Sequence, residues 1–157
     1  MENKSIEQTI LFLRDNNTDL KSCSDDEIKK LESYYDILLP DAYKQFLKLM
    51  GKGSLNYMKG TDYTYNWLFE MKEGANEILL ESNMKELAIE TFVFWMHQGY
   101  QFCYFYLDSR IKNPAVYYYN ECYSSLGIIK VTDALTDFLY NPDILGDAIR
   151  NAEQLNK

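Results

Sequence analysis

The sequence predicts an α+β domain in which an antiparallel sheet of about four to six strands is flanked by helices. Three observations predict it. Apolar residues recur at helical spacing through the first third of the chain. Short β-branched and aromatic runs, separated by turn residues, fill the second half. A helical pattern then closes the chain. Strands kept apart from helices in this way indicate layers, not alternating βα units.

The elements follow in order. Ile6, Ile10 and Leu13 mark a first helix that Asn16-Asn17 stops. Ser24-Asp25-Asp26-Glu27 is a capping box: Ser24 accepts from the Glu27 amide, and the Glu27 carboxylate reaches back to the Ser24 amide. Cys23 and Ile28 take the staple positions around it, and Ile28, Leu31 and Tyr35 continue the stripe. Pro40 opens a third helix, where its missing N–H costs nothing. Tyr43, Phe46, Leu47 and Met50 form the buried face of that helix. Gly51 and Gly53 end it, with Gly able to take the left-handed cap. Residues 54–75, rich in Tyr, Gly and Asn, read as a long loop or weak hairpin. Residues 77–89 have helical spacing at Ile78, Met84 and Leu87. Strands are expected at 91–96, 100–107, 115–119 and 128–131, with His97-Gln98-Gly99 as the first hairpin turn. Thr132 is placed to cap a closing helix bearing Ala134, Leu135, Phe138 and Leu139. Pro142 interrupts it before a last short helix from Asp143 toward Gln154.

The 157 residues fit one domain, 1–157, with no repeat, linker or low-complexity segment. Hydrophobic residues at 46% and charged residues at 25% exclude a disordered chain. The 14 Tyr, 8 Phe and 2 Trp exceed what a core of this size needs, so some rings are expected on the surface. Tyr and Trp favour interfaces, because they combine contact area with a polar tip. The net charge of -8 argues against nucleic acid as direct ligand and suits a basic protein partner. Solubility alone is the alternative explanation of that charge. Cys23, Cys103 and Cys122 are scattered and odd in number, which predicts buried, reduced thiols rather than disulfides. Residues Met1 to Gln8 are polar and lack the apolar run of a signal peptide, and no stretch reaches the roughly 20 apolar residues of a membrane span. A cytoplasmic location and no membrane partner are therefore expected.

Elimination then removes most catalytic chemistry. His97 is the only histidine, so a Cys–His nucleophile would have to draw on Cys23, Cys103 or Cys122. A turn histidine and a core thiol are the simpler assignments. The ligand spacing of a zinc site is absent. No phosphate-binding G-x-x-x-x-G-K-[ST] or G-x-G-x-x-G occurs, and no G-x-S-x-G. Asp62, Glu70, Glu73 and Asp108 are candidates for a carboxylate pair, against the alternative of a solvated acidic face. The run Asp25-Asp26-Glu27 belongs to a helix N-terminus, where negative charge is favoured. No cofactor and no metal are expected.

Two segments together resemble the SUKH superfamily. The first is Ser24-Asp25-Asp26-Glu27-Ile28-Lys29-Lys30-Leu31-Glu32, followed by Leu38-Leu39-Pro40-Asp41-Ala42-Tyr43-Lys44-Gln45-Phe46-Leu47 and ending at Gly51. The second is His97-Gln98-Gly99-Tyr100-Gln101-Phe102, then Tyr104-Phe105, then Asn113-Pro114-Ala115-Val116-Tyr117. The closing helix after Val131 also fits. The order and spacing of the motifs carry the resemblance across about residues 5–150. Gly51-Lys52-Gly53 departs from the Asn-Gly-Gly of many members but keeps the terminal Gly.

The resemblance implies a helix-flanked antiparallel SUKH-like sheet without enzymatic activity. Bacterial members are typically immunity proteins that bind and neutralise a cognate toxin of polymorphic toxin systems, often a nuclease. Eukaryotic relatives regulate cell-wall synthesis through protein contacts, so a regulatory or scaffold module is the alternative. A nuclease active site is basic because it holds phosphates, and an acidic surface with exposed rings suits it: carboxylates steer and aromatics anchor. The expected contact residues are Tyr57, Asp62, Tyr63, Tyr65, Trp67 and Glu70 in the middle loop, followed by the strand rings Tyr104, Tyr106, Tyr117 and Tyr119. For each strand Tyr, core burial is the competing assignment.

Overall fold

Serine caps set the first two helices. Ser5 accepts from the Gln8 amide and Gln8 accepts from the Ser5 amide, which opens α1 (Ile6–Asn16). The same exchange between Ser24 and Glu27 opens α2 (Asp25–Tyr35). The computed structural model describes residues 3–157, so Met1 and Glu2 of the polar N-terminal segment lie outside the described residues. Helix α3 (Asp41–Met50) follows, with Pro40 at the cap position just before the helix rather than inside its first turn. Its expected stripe of Tyr43, Phe46, Leu47 and Met50 is fully buried.

The exit of α3 differs from expectation. Gly51 keeps right-handed backbone angles, φ -63 and ψ -17, so it is not a left-handed cap. It is glycine because space is lacking: a Cβ there would lie 2.6 Å from the Cys23 sulfur. Residues 21–23 are zipped onto this exit. Cys23 N–H donates to Leu47 O at 2.9 Å and Lys21 N–H to Gly53 O at 2.9 Å. Of these two glycines it is Gly53 that takes a positive φ, +112.

The largest correction concerns the middle of the chain. The expected loop over residues 54–75 ends at Thr64, and α4 (Tyr65–Glu81) replaces the rest of it. Leu68, Met71, Ala75, Ile78 and Leu79 form one buried face that straddles the boundary expected near residue 76. Gly74, costly in a helix interior by about 1 kcal/mol, faces Met96, whose terminal carbon would lie 3.5 Å from an added Cβ. Residues 82–89 are not helical. Ser82 and Asn83 (φ 61) end the helix, and the Leu87 amide bonds the Asn76 side chain at 2.8 Å.

The sheet is a four-stranded antiparallel meander in the order β1-β2-β3-β4. Its strands are β1 (Thr91–His97), β2 (Gln101–Tyr106), β3 (Val116–Asn120) and β4 (Ile129–Thr132). β1 and β2 are joined through Gln98 and Gly99, both with positive φ. A bulge between Val93 and Trp95 shifts the β1 register. Phe92, Phe94 and Phe105 gather around Tyr43 of α3, with ring centroids 5.3–6.0 Å from it. α5 (Leu135–Tyr140) sets Phe138 edge-on against Phe94 at 5.4 Å. α6 (Ile144–Leu155) follows Pro142 and packs by β4.

Thr132 does not cap α5. It ends β4, and its hydroxyl donates to Ala134 O at 2.8 Å. Asn113, close before β3, takes the capping role from across the fold. Its side chain accepts from the Thr136 amide at 3.0 Å and donates to the Thr136 hydroxyl at 2.8 Å. All three cysteines are free, but only Cys23 and Cys103 are buried; Cys122, in a 3-10 stretch at Glu121–Leu126, is exposed.

Candidate partner-binding surface

Helix α4 carries the most distinctive surface. Its inner face is apolar, so its outer face is left to Asn66, Trp67, Glu70, Glu73, Glu77, Leu80 and Glu81. Glu70, Glu73, Glu77 and Glu81 recur at three- and four-residue steps, which places them along one side of the helix. Among the described residues, none of the four lies within ion-pair distance of a cation. The one cation on α4, Lys72, is committed to backbone carbonyls. Its ammonium donates to Ile89 O at 3.0 Å and Thr91 O at 3.1 Å, and burial lowers its pKa. Trp67 begins the acidic row and is 51% exposed. Tyr34 of α2, also exposed, stands edge-on to Phe69 of α4 at 5.1 Å.

The exposed members of the predicted contact residues form two sets. Trp67 and Glu70 lie on this outer face. Tyr106 and Tyr117 lie partly exposed on the sheet, 5.3 Å apart and edge-on, with the buried Tyr104 stacked on Tyr117 at 5.6 Å. Among the described residues no ring contact joins Trp67 to the sheet tyrosines. Others of the predicted set work inside the fold. Tyr57 donates from its hydroxyl to Leu139 O at 2.6 Å, and burial pushes its pKa well up. Tyr63 packs edge-on to Tyr57 at 5.8 Å. Tyr65 ties α4 to α2 by donating to Glu27 O at 2.8 Å. Tyr119 is fully buried beside Phe102, and its hydroxyl has no protein partner. Asp62 stands apart from these: its backbone exchanges both hydrogen bonds with Met96, at 2.8 and 2.9 Å, while its half-buried side chain stays partly exposed.

Tyr34, Glu77, Leu80 and Glu81 were missed by sequence reasoning. The glutamate spacing was visible, but the boundary expected near residue 76 put Glu70 and Glu73 in a loop and Glu77 and Glu81 in a separate helix, so the four did not form one row. Other candidates are occupied elsewhere. Asp108 takes two bonds from the Arg110 guanidinium, at 3.0 and 2.9 Å, which holds its carboxyl down at about 2. His97 Nδ1 sits 3.1 Å from Gly60 O and pairs with Gln101, while Cys103 pairs with Trp95 and its thiol is pushed well up by burial. Among the described residues no group of three or more His, Cys, Asp or Glu could hold a metal ion, and no helix is long and apolar enough to cross a membrane.

A helix-flanked antiparallel meander with this element order is a SUKH-like fold. The model of the SMI1/KNR4 family (SUKH-1) matches residues 22–141, and the chain belongs to that family. A comparison with curated proteins finds no match. The matched span takes in α2 to α5 and the whole sheet, and so includes the acidic face of α4.

Proposed function

We propose that this chain is an immunity protein that binds a cognate, basic protein toxin directly and does no catalysis. Family membership supports an immunity-like or SMI1/KNR4-type role. The observation that carries the toxin-binding form is the α4 row of unpaired carboxylates headed by Trp67. Such a row repels itself and draws a cationic surface, while a half-exposed Trp supplies anchoring area once water leaves. Glu70 and Asp62 steer; Trp67 anchors, with Tyr34 beside Phe69 extending the contact. Tyr106 and Tyr117 form a second aromatic patch available to the same partner.

The test is co-expression with the toxin candidate encoded beside the gene, followed by binding kinetics. Asp62→Asn with Glu70→Gln should mainly lower the association rate. Trp67→Ala should mainly raise the dissociation rate, by about 2 kcal/mol or more. Rescue of growth without a complex would overturn direct binding. Capture of a cell-wall synthesis protein, with no rescue from any adjacent toxin, would replace immunity by the regulatory role.

A further inference from the structure

Three of the chain's exposed apolar side chains converge on one groove. Leu38 is 75% exposed, Ile89 82% and Ile111 48%. The groove has two lobes of about 300 and 190 Å³ on either side of Leu38. Ile89 and Leu107 line the first lobe and Ile111 lines the second, while Leu38 and Asp108 line both. Isolated exposed leucines are ordinary, but a contiguous apolar patch with a polar rim marks an interaction site.

These side chains are held out by a pinned backbone. On either side of Leu38, the amides of Ile37 and Leu39 donate to Glu32, to its carbonyl at 3.0 Å and its carboxylate at 2.7 Å. Ile89 O accepts from Lys72, and Glu90 O accepts from the Leu107 amide at 2.7 Å. The Ile111 amide donates to Asp108 O at 2.9 Å. A surface ordered before contact loses less entropy on binding.

Charge decides the occupant. Asp36 and Glu90 rim the larger lobe. Beyond Lys72 the acidic surface continues with Glu73 and Glu77 of α4 and Glu86 of the segment after it. Among the described residues none of these five carboxylates has an ion-pair partner, and Lys72 between them is committed to backbone carbonyls. At the smaller lobe, Arg110 is bound to Asp108 and Lys112 stands 4.0 Å from Asp41, leaving Lys44 without an ion pair. A second copy would set one acidic rim against another.

We infer that this groove seats an apolar ridge of a basic partner protein. Two neighbouring apolar side chains straddle Leu38, while lysines or arginines of the partner meet Asp36, Glu90 and the α4 carboxylates. This rests on the proposed binding of a basic partner and places the apolar centre of that contact at the α2–α3 turn and the start of β1, with α4 as its acidic flank.

The probes are a synthetic amphipathic peptide of leucine and lysine, its leucine–glutamate counterpart, and sedimentation of the full chain alone. The lysine peptide should bind the chain. Leu38→Ser with Ile89→Ser should weaken it at least about tenfold. Leu155→Ser, equally exposed but outside the groove, should not. The glutamate peptide should not bind. Equal binding by the double variant would overturn the groove, as would self-association of the wild type that the same two changes abolish. The two proposals fail separately. A toxin complex indifferent to Leu38→Ser and Ile89→Ser removes the groove and keeps immunity. Groove-dependent peptide binding with no toxin complex removes immunity and keeps the groove.

Discussion

Gly51 shows how one residue position can be fixed by a neighbour distant in sequence. Its backbone angles suit any amino acid, yet a Cβ would meet the Cys23 sulfur at 2.6 Å and the Leu47 backbone at 2.8 Å. Gly51→Ala should therefore cost about 1–3 kcal/mol of stability by overpacking. A urea melt within 0.5 kcal/mol of wild type, about the scatter of an unremarkable surface change, would mean the site has room. The cysteine beside it supplies a second expectation. Burial raises the Cys23 thiol from 9.0 to about 11, with Glu27 adding to the effect. The folded chain thus keeps a proton that the unfolded chain releases above pH 9.0, so this contribution to stability is present below that pH. It is lost as pH rises through about 11. At mildly alkaline pH a thiol reagent should modify exposed Cys122 quickly, and Cys23 and Cys103 only after denaturation. Three fast thiols in the native chain would contradict the burial of the other two.

At the scale of elements, α4 shows stability traded against surface chemistry. Glu73–Glu77 and Glu77–Glu81 are like-charged pairs four residues apart, each unfavourable by about 0.2–0.5 kcal/mol in a helix. Glu77→Gln relieves both pairs, so the variant should melt slightly higher than wild type while associating more slowly with a basic partner. Thermal melts and stopped-flow association on the same samples would check both halves. A lower melting temperature would mean the carboxylates are stabilised by contacts other than those seen. The element also explains the sequence misreading. Its first turn, beginning Tyr65-Asn66-Trp67, lacks a side-chain cap, and its Gly74 resembles a break. Tertiary partners override both: the Tyr65 amide donates to Gly51 O at 2.8 Å, and Gly74 gives Met96 room.

Across the whole molecule, the net charge of -8 is unevenly spent. Glu27 is paired with Lys52 at 2.6 Å and Asp133 with Lys130 at 2.6 Å, so these carboxylates contribute little outward field. Among the described residues, unpaired acids include the row along α4 and those beside the Leu38 groove, with others such as Glu7, Asp26 and Glu153 scattered elsewhere. Association with a basic partner should slow as salt rises, because screening shortens to about 8 Å at physiological ionic strength. The dissociation rate should change far less. A rate constant independent of salt from low to physiological ionic strength would place the contact on an uncharged surface, such as the Tyr106–Tyr117 patch.

Local patterns along the chain were enough for the α+β class, the Ser24 capping box, the buried stripe of α3 and the four strand segments. Each depends on local spacing, where side-chain periodicity and cap chemistry act within a few residues. The excess of acid is likewise a sum over the chain and needs no coordinates. Which acids and rings face outward is set by packing between elements. Tyr63, Tyr65, Tyr104 and Tyr119 have the same chemistry as the partly exposed Tyr106 and Tyr117; what separates them is the layer that happens to cover each ring. The same holds for the cap of α5, supplied by Asn113 from another element, and for the Leu38 groove, whose walls come from three separate stretches of chain. Exposure depends on contacts distant in sequence, and such contacts leave no local pattern to read.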